Sequence, residues 1–350
     1  MHYIGIIDCG TTNSRFSIVG EDGSILANVS AKIGVKDTAA CGSKEPLKRG
    51  LMKLFEDALA VSGLDASRLK FVMSSGMITS ELGLMELPHQ VAPVGKYDLA
   101  RSLYRLPGSS DLGIGVDIYL VRGIKNAADP LRGSPISAAK NLDFMRGEET
   151  QMMGLLEIYG GGKAATAVNL SSHTKFISID DKDRILGSVT TLSGQIYESL
   201  ATDSIIAKSI VSGSRDAQIE DRNELARNLH EAALFAAEAV RDHGLLRSFL
   251  MPRFMDTLMM TDWRVRKRFL EACIVADDLK ILKAFPQFGF RVGERMFLIG
   301  IEERCRLFEE LFLLTPQGRD AEIVIISGEE AVRNLAIRGA LYIARQAGLL

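Results

Sequence analysis

The apolar positions of this chain follow two periods in turn. Residues 3–7 form a short apolar run that stops at Asp8, and RFSIVGEDGSILANVSAK follows as alternating apolar and polar positions broken at Glu21-Asp22-Gly23. Asp-Gly between two such segments predicts a β-hairpin. Leu47, Leu51, Leu54, Phe55 and Ala58 then recur at helical spacing, which predicts an amphipathic helix over 46–61 with Pro46 near its start. LKFVMSSGM and VDIYLVRGI read as further strands. Strands alternating with helices make this an α/β chain.

A second round begins near residue 148. EETQMMGLLEIYG reads as a helix, acidic in its first turn and ended by Gly160-Gly161-Gly162. ATAVNLSSHTKFISIDDKDRILGSVTTL then repeats the opening order of strand, small-residue turn, strand, charged turn, strand. The echo is one of pattern rather than identity, and it predicts two similar lobes, 1–145 and 146–350. From Ile205 the pattern turns helical: SGSRDAQIEDRN is a polar loop, and 224–241 and 244–282 read as long helices. MFLIGIEE and EIVIISGEEAVRNLAIRGALYIARQAGL predict two more strands and a closing helix.

Composition narrows the picture by exclusion. The 350 residues are 47% hydrophobic and 25% charged, as in ordinary globular chains. A net charge of −2 provides no field for nucleic acid or a membrane surface. The basic WRVRKRF stretch (263–269) therefore reads as a solvated helix face, and the methionines of LMPRFMDTLMM as core packing. Cys9, Cys41, Cys273 and Cys305 lie far apart with no metal-ligand spacing, which suits free intracellular thiols. The first residues lack signal-peptide character, and no apolar run approaches the ~20 residues that span a bilayer. A cytoplasmic protein is expected. The oligomeric state is left open, a homodimer included.

Three segments carry candidate chemistry. In DCGTTN, a strand exits into a tight turn at Gly10 whose N–H groups can surround a phosphate, with Thr11, Thr12 and Asn13 as neutral donors. Asp8 beside such a turn conflicts in sign with an anion, unless it acts through a hydrated Mg²⁺. An ordinary capped strand-turn-strand has the same outline. In DFMRGEETQMMG, the acids Asp143, Glu148 and Glu149 gather with Arg146 around a helix start. They either complement the helix dipole or include a general base. In LSSHTKF, Ser171, Ser172, His173, Thr174 and Lys175 form either a second phosphate turn or a plain hairpin bend.

Together these segments resemble the 2-dehydro-3-deoxygalactonokinases, sugar-acid kinases of the actin-like ATPase superfamily. IDCGTTNSR is similar to that family's D-W-G-T-T-N-x-R, with Cys9 in place of tryptophan. SSGMITSELGLMELP (74–88) is similar to its S-G-M-V-G-S segment, and DFMRGEETQMMG to its V-M-R-G-E-E-T-Q-x-x-G. LSSHTKF resembles P-G-T-H-S-K-W, and TTLSGQIYESL resembles T-x-M-T-G-E-L. The similarity is recognisable from residue 1 to about 210. Three departures stand out. Ser171 replaces a glycine, Gln195 replaces an acid, and LEACIVADDL carries Ala276 where a glycine is expected, with Asp277 or Asp278 as the acid.

The resemblance implies a two-lobed RNase-H-like fold with ATP and Mg²⁺ in a cleft between the lobes. It implies phosphoryl transfer to the 6-hydroxyl of 2-dehydro-3-deoxy-D-galactonate, in galactonate breakdown. Asp8 would organise Mg²⁺, and Gly10, Thr11, Thr12 and Asn13 would hold the transferring phosphate. Glu148 or Glu149, with Glu148 preferred, would be the base. Ser171, Ser172 and His173 would form the second phosphate turn. Gly300, at the exit of the MFLI strand, either lets the backbone approach an adenine or makes a simple turn. Ser75, Gly76 and Met77 would face the sugar acid, and Arg15, Arg146 or Lys175 its carboxylate or the phosphates. The alternatives are a kinase of another sugar or sugar acid, and a catalytically impaired binder that keeps the fold. A hydrolase of polyphosphate or nucleotides on the same fold is a further one.

Overall fold

In the computed structural model, residues 2–109, 112–127, 135–213 and 217–350 are described. They form two compact units. The first holds residues 1–163, 179–188 and 329–350, and the second holds 164–178 and 189–328. These units do not coincide with a division at 145/146, because the helix after residue 147 and the C-terminal helix both group with the first.

The first unit starts with strands β1 (Tyr3–Cys9), β2 (Ser14–Val19) and β3 (Ile25–Ala31), the hairpin that the Asp-Gly signal predicts. Helices α1 (Val35–Cys41) and α2 (Glu45–Ser62) follow, then β4 (Leu69–Gly76). α2 buries Leu47, Leu51, Leu54, Phe55 and Ala58 and ends at Gly63 in the left-handed conformation. Phe16 of β2 and Phe55 of α2 meet edge to face, ring centroids 5.6 Å apart. Next come β5 (Gln90–Val91), α3 (Lys96–Arg101), β6 (Tyr104–Leu106), β7 (Ile118–Leu120), β8 (Ile124–Lys125), α4 (Pro135–Ala138), β9 (Phe144–Met145) and α5 (Glu148–Tyr159). The main sheet runs β3-β2-β1-β4-β7-β6, with β1 antiparallel to β2 and parallel to β4. VDIYLVRGI is not one strand: β7 joins this sheet, and β8 joins β5 and β9 in a small one.

The second unit is built on β10 (Ala165–Leu170), β11 (Thr174–Ile179) and β12 (Ile185–Thr191), followed by α6 (Ser193–Thr202) and α7 (Arg222–His243). Of the polar loop predicted before α7, residues 214–216 lie outside the described residues. Residues 244–282 are not one helix but α8 (Leu245–Ser248), α9 (Met251–Thr257) and α10 (Trp263–Ala284). Pro252, which has no N–H, sits in the first turn of α9. Met260 takes a positive φ of 53°, and Asp262 caps α10 by accepting from the Arg264 N–H at 2.9 Å. Strand β13 (Arg295–Gly300), α11 (Glu302–Leu313) and β14 (Glu322–Ser327) complete the unit, whose sheet runs β12-β11-β10-β13-β14. The last helix, α12 (Glu329–Gln346), belongs to the first unit.

Both units thus place their first three strands in the order 3-2-1 and add the fourth beside the first, the RNase-H-like arrangement. The echo read from the sequence is a structural duplication.

Two smaller expectations fail. WRVRKRF is not a solvated face, because Arg266 is fully buried and donates to the main-chain oxygens of Ser209 and Thr261. Met259 and Met260 are exposed rather than packed, because they lie in the turn after α9 and not on a helix face. The four thiols are free, as expected.

Candidate active site

The first turn is shaped from behind. α1 begins against it: the Val35 N–H donates to the Gly10 carbonyl at 3.3 Å and the Lys36 N–H to the Thr11 carbonyl at 2.9 Å. In a trans peptide the C=O and the following N–H point in opposite directions. Fixing these two carbonyls toward α1 therefore aims the Thr11 and Thr12 N–H groups away from it. Those N–H groups, and the exposed side chains of Thr11, Thr12 and Asn13, have no partner among the described residues. Gly34, just before α1, is what permits the approach, since a Cβ there would collide with the Thr11 oxygen.

Asp8 and Arg15 face one another across β1 and β2, with 3.5 Å between Arg15 Nη1 and Asp8 Oδ2. Burial raises the Asp8 carboxyl above its ordinary range, against the opposing pull of Arg15. On the other side of β1, Asp8 pairs with Ser75 and Cys9 with Gly76. Gly76 has φ +88°, and Gly147 has φ +107° with its Cβ direction aimed at the Gly76 Cα, 3.3 Å away. Only glycine takes these conformations readily. Their contact brings the start of α5 to the ends of β1 and β4. Met77 packs against the core of this unit.

The two glutamates at that helix start differ sharply. Glu149 is fully buried, and its carboxylate turns back to accept from the Gly147 N–H at 2.9 and 2.8 Å. Burial, then the neighbouring Glu148, push its carboxyl up to about 8. Glu148 is only partly buried, and its Oε2 accepts from the Arg146 N–H at 3.2 Å. Of the pair, Glu148 is the one with surface to offer a substrate.

The Arg146 side chain is spread over neutral acceptors: Thr79 Oγ1 at 2.7 Å, the Leu87 carbonyl at 2.9 Å and His89 Nδ1 at 3.4 Å. Burial, Arg146 and Lys125 hold His89 down to about 4, so its ring is neutral. With Nδ1 accepting, the ring proton sits on Nε2, which is buried without a partner among the described residues.

In the second unit, Leu170 pairs with Gly300 as Cys9 pairs with Gly76. A Cβ on Gly300 would lie 2.9 Å from the Leu170 oxygen, so this glycine serves the approach of two strand ends. The turn Ser171–His173 is closed within itself, by Ser171 Oγ on the His173 carbonyl and by Ser172 Oγ with His173 Nδ1, both at 3.1 Å. The Gln195 N–H donates to the Ser172 carbonyl at 2.9 Å, and a Cβ on Gly194 would collide with the Ser171 oxygen. Ser171 has no positive φ, so replacing glycine leaves the backbone unstrained. The Gln195 side chain is exposed, and what the turn uses is its main chain.

Lys175 is buried and donates to Thr190 Oγ1 at 2.7 Å, inside the β11–β12 hairpin. Asp278, not Asp277, is the buried acid of LEACIVADDL. It accepts from Thr191 at 2.7 Å and Ser193 at 2.5 Å, whereas Asp277 pairs with Lys280 at 2.7 Å.

Sequence reading missed Gly34, His89 and Arg304, and gave Gly194 a place in a motif but no role. Gly34 is visible only as a glycine just before a helix that follows a third strand.

A family model described as 2-keto-3-deoxy-galactonokinase matches residues 8–335, well beyond the stretch recognisable by motif. DgoK1 of Rhizobium meliloti (strain 1021), which carries the name 2-dehydro-3-deoxygalactonokinase, is 26% identical over 208 residues. The alignment spans 59% of this chain and 59% of that relative. Among solved structures, a 2-dehydro-3-deoxygalactonokinase protein from Sinorhizobium meliloti superposes with a TM-score of 0.69 at 21% identity, covering 98% of each chain. Component A of (R)-2-hydroxyglutaryl-CoA dehydratase from Acidaminococcus fermentans superposes at 0.50 with 11% identity, covering 99% of this chain and 100% of that one. At these identities the structural likeness is one of fold.

Proposed function

The chain belongs to the 2-keto-3-deoxy-galactonokinase family, and on that premise we propose that it transfers a phosphoryl group from ATP to the 6-hydroxyl of 2-dehydro-3-deoxy-D-galactonate, in the cytoplasm, as a step of galactonate breakdown. The observation that carries the reading is the Gly10–Asn13 turn: α1 takes up its Gly10 and Thr11 carbonyls, and its Thr11 and Thr12 N–H groups have no partner among the described residues.

Phosphoryl transfer needs positioning and charge neutralisation more than covalent chemistry. The free N–H groups of Thr11 and Thr12 cradle the transferring phosphate, with the side chains of Thr11, Thr12 and Asn13 around them. Ser171, Ser172 and His173 form the second phosphate turn. Asp8 is partly exposed, and no group of three or more His, Cys, Asp or Glu side chains gathers to hold a metal among the described residues. That donor set fits Mg²⁺ that keeps most of its water and arrives with the nucleotide. The ion, when bound, offsets the charge of the phosphates, and Asp8 is the residue that would hold it. Glu148 accepts the proton of the 6-hydroxyl. Ser75 and Gly76, at the end of β4, border the sugar acid. Arg146, held by neutral acceptors, keeps a charge to offer the substrate carboxylate.

An assay of ADP release across a panel of sugars and sugar acids tests the proposal. Turnover with 2-dehydro-3-deoxy-D-galactonate above all others is expected. Preference for another acid would reassign the substrate, and folded protein inert toward the whole panel would sink the kinase reading. The unstrained Ser171 and the exposed Gln195 side chain support an active enzyme over an impaired binder.

A further inference from the structure

The two turns are built alike, but their supports differ by one donor. In the first turn, α1 supplies two main-chain N–H groups, Val35 to the Gly10 carbonyl and Lys36 to the Thr11 carbonyl. The corresponding carbonyls of the second turn are those of Ser171 and Ser172, because Ser171 follows Leu170 as Gly10 follows Cys9. Here α6 reaches only one of them, through the Gln195 N–H on Ser172. The Ser171 carbonyl is taken by a side chain instead: Arg304 Nη1 donates to it at 2.8 Å. The same nitrogen lies 3.5 Å from the Leu170 carbonyl, and Nη2 lies 3.4 Å from Thr174 Oγ1.

We infer that Arg304 is a positioning residue of the second phosphate turn, its guanidinium standing in for the main-chain N–H group that α6 does not supply. The inference rests on the kinase reading above. Holding the Ser171 carbonyl inward aims the Ser172 N–H outward, since the two belong to one planar trans peptide. The Gln195 N–H does the same for the Ser172 carbonyl and the His173 N–H. Both outward N–H groups have no partner among the described residues.

Position rather than charge is the contribution of Arg304. Its guanidinium is partly buried, which lowers its pKa from the usual value, while Asp278 and Glu271 pull the other way. Asp278 is itself anchored by Thr191 and Ser193. The arginine turns Nη1 to main-chain oxygens and Nη2 to the Thr174 hydroxyl, a forked geometry that lysine cannot reproduce.

Calorimetric titration of the full chain with ATP in magnesium buffer, and separately with adenosine, tests this. In Arg304→Met, ATP affinity falls about tenfold or more, the loss of a charged hydrogen bond, while adenosine binds as in the wild type. Arg304→Lys keeps the stem and the charge, so it secures the fold. It shows a smaller loss for ATP alone. Wild-type ATP affinity in both variants overturns the inference, as does an equal loss of ATP and adenosine binding. A wild-type protein that binds ATP no better than adenosine overturns the kinase reading and the inference with it.

Discussion

Gly154 of α5 and Gly339 of α12 cross with their main chains in contact. A Cβ on Gly154 would lie 2.8 Å from the Gly339 nitrogen, and one on Gly339 would lie 2.9 Å from the Gly154 nitrogen. Each would also collide with a carbonyl oxygen of the opposite helix, that of Leu335 or Thr150. Backbone cannot yield as a side-chain tip can. Gly339→Ala should therefore push α12 off α5 and cost about 1–3 kcal/mol of stability or more. Because α5 carries Glu148 at its start, kcat should fall as well. Thermal unfolding and steady-state kinetics on Gly339→Ala and Gly154→Ala check this, and a double variant no worse than either single one would mark a shared contact.

The two glutamates should separate in kinetics. If Glu148 is the base, as proposed, Glu148→Gln should lower kcat by a factor of roughly 10²–10⁴ with ATP binding unchanged. Glu149→Gln should act mainly on stability. The reverse ranking in kcat would assign the base to Glu149.

Stability should depend on pH through Glu149 and His89, with opposite signs. Glu149 rises from the usual 4.5 to about 8 on folding, so between those values the folded chain holds a proton that the unfolded chain releases. Its contribution is full below 4.5 and is lost as pH rises through 8. His89 falls from 6.5 to about 4, so its contribution is present above 6.5 and is lost as pH falls through 4. Between 4.5 and 6.5 the two oppose each other. Above 6.5 only Glu149 acts, and Tm should decline from pH 6.5 to 8.5. Scanning calorimetry across that range should show the decline in the wild type and a flat profile in Glu149→Gln.

Arg146 should report on the sugar acid rather than the nucleotide. Arg146→Met should raise KM for the sugar acid about tenfold to a hundredfold, the worth of a charged hydrogen bond, with KM for ATP little changed. A sugar-acid analogue in which an amide replaces the carboxylate should bind wild type and variant alike. If ATP binding suffers instead, the guanidinium serves the phosphates.

Legibility in the sequence followed the range of the interactions. The opening hairpin and α2 were readable because Asp22-Gly23 and the Leu47 to Ala58 spacing are local signals. The strand-turn-strand echo in the second unit was readable for the same reason. The helical region misled because apolar positions continue through Pro252 and Met260, where the backbone breaks. Arg266 looked solvated because an arginine in a basic run carries no sign of burial; its partners, the Ser209 and Thr261 carbonyls and Asp256 at 3.7 Å, surround it only once the helices pack. The supports of the site were hidden most completely. Arg304 and Ser171 are 133 residues apart, and a glycine such as Gly34 declares its purpose only when the loop it admits is in place.

The unequal supports of the two turns also bear on how the protein can change over generations. Main-chain donors belong to every amino acid except proline, so the two donors of the first turn do not depend on which side chains stand at 35 and 36. One of the second turn's two supports hangs on codon 304. A drift toward weaker or altered nucleotide handling would pass more easily through that codon than through the conspicuous Gly-Thr-Thr, and a descendant could keep the visible signature of the fold after losing its grip on the ligand.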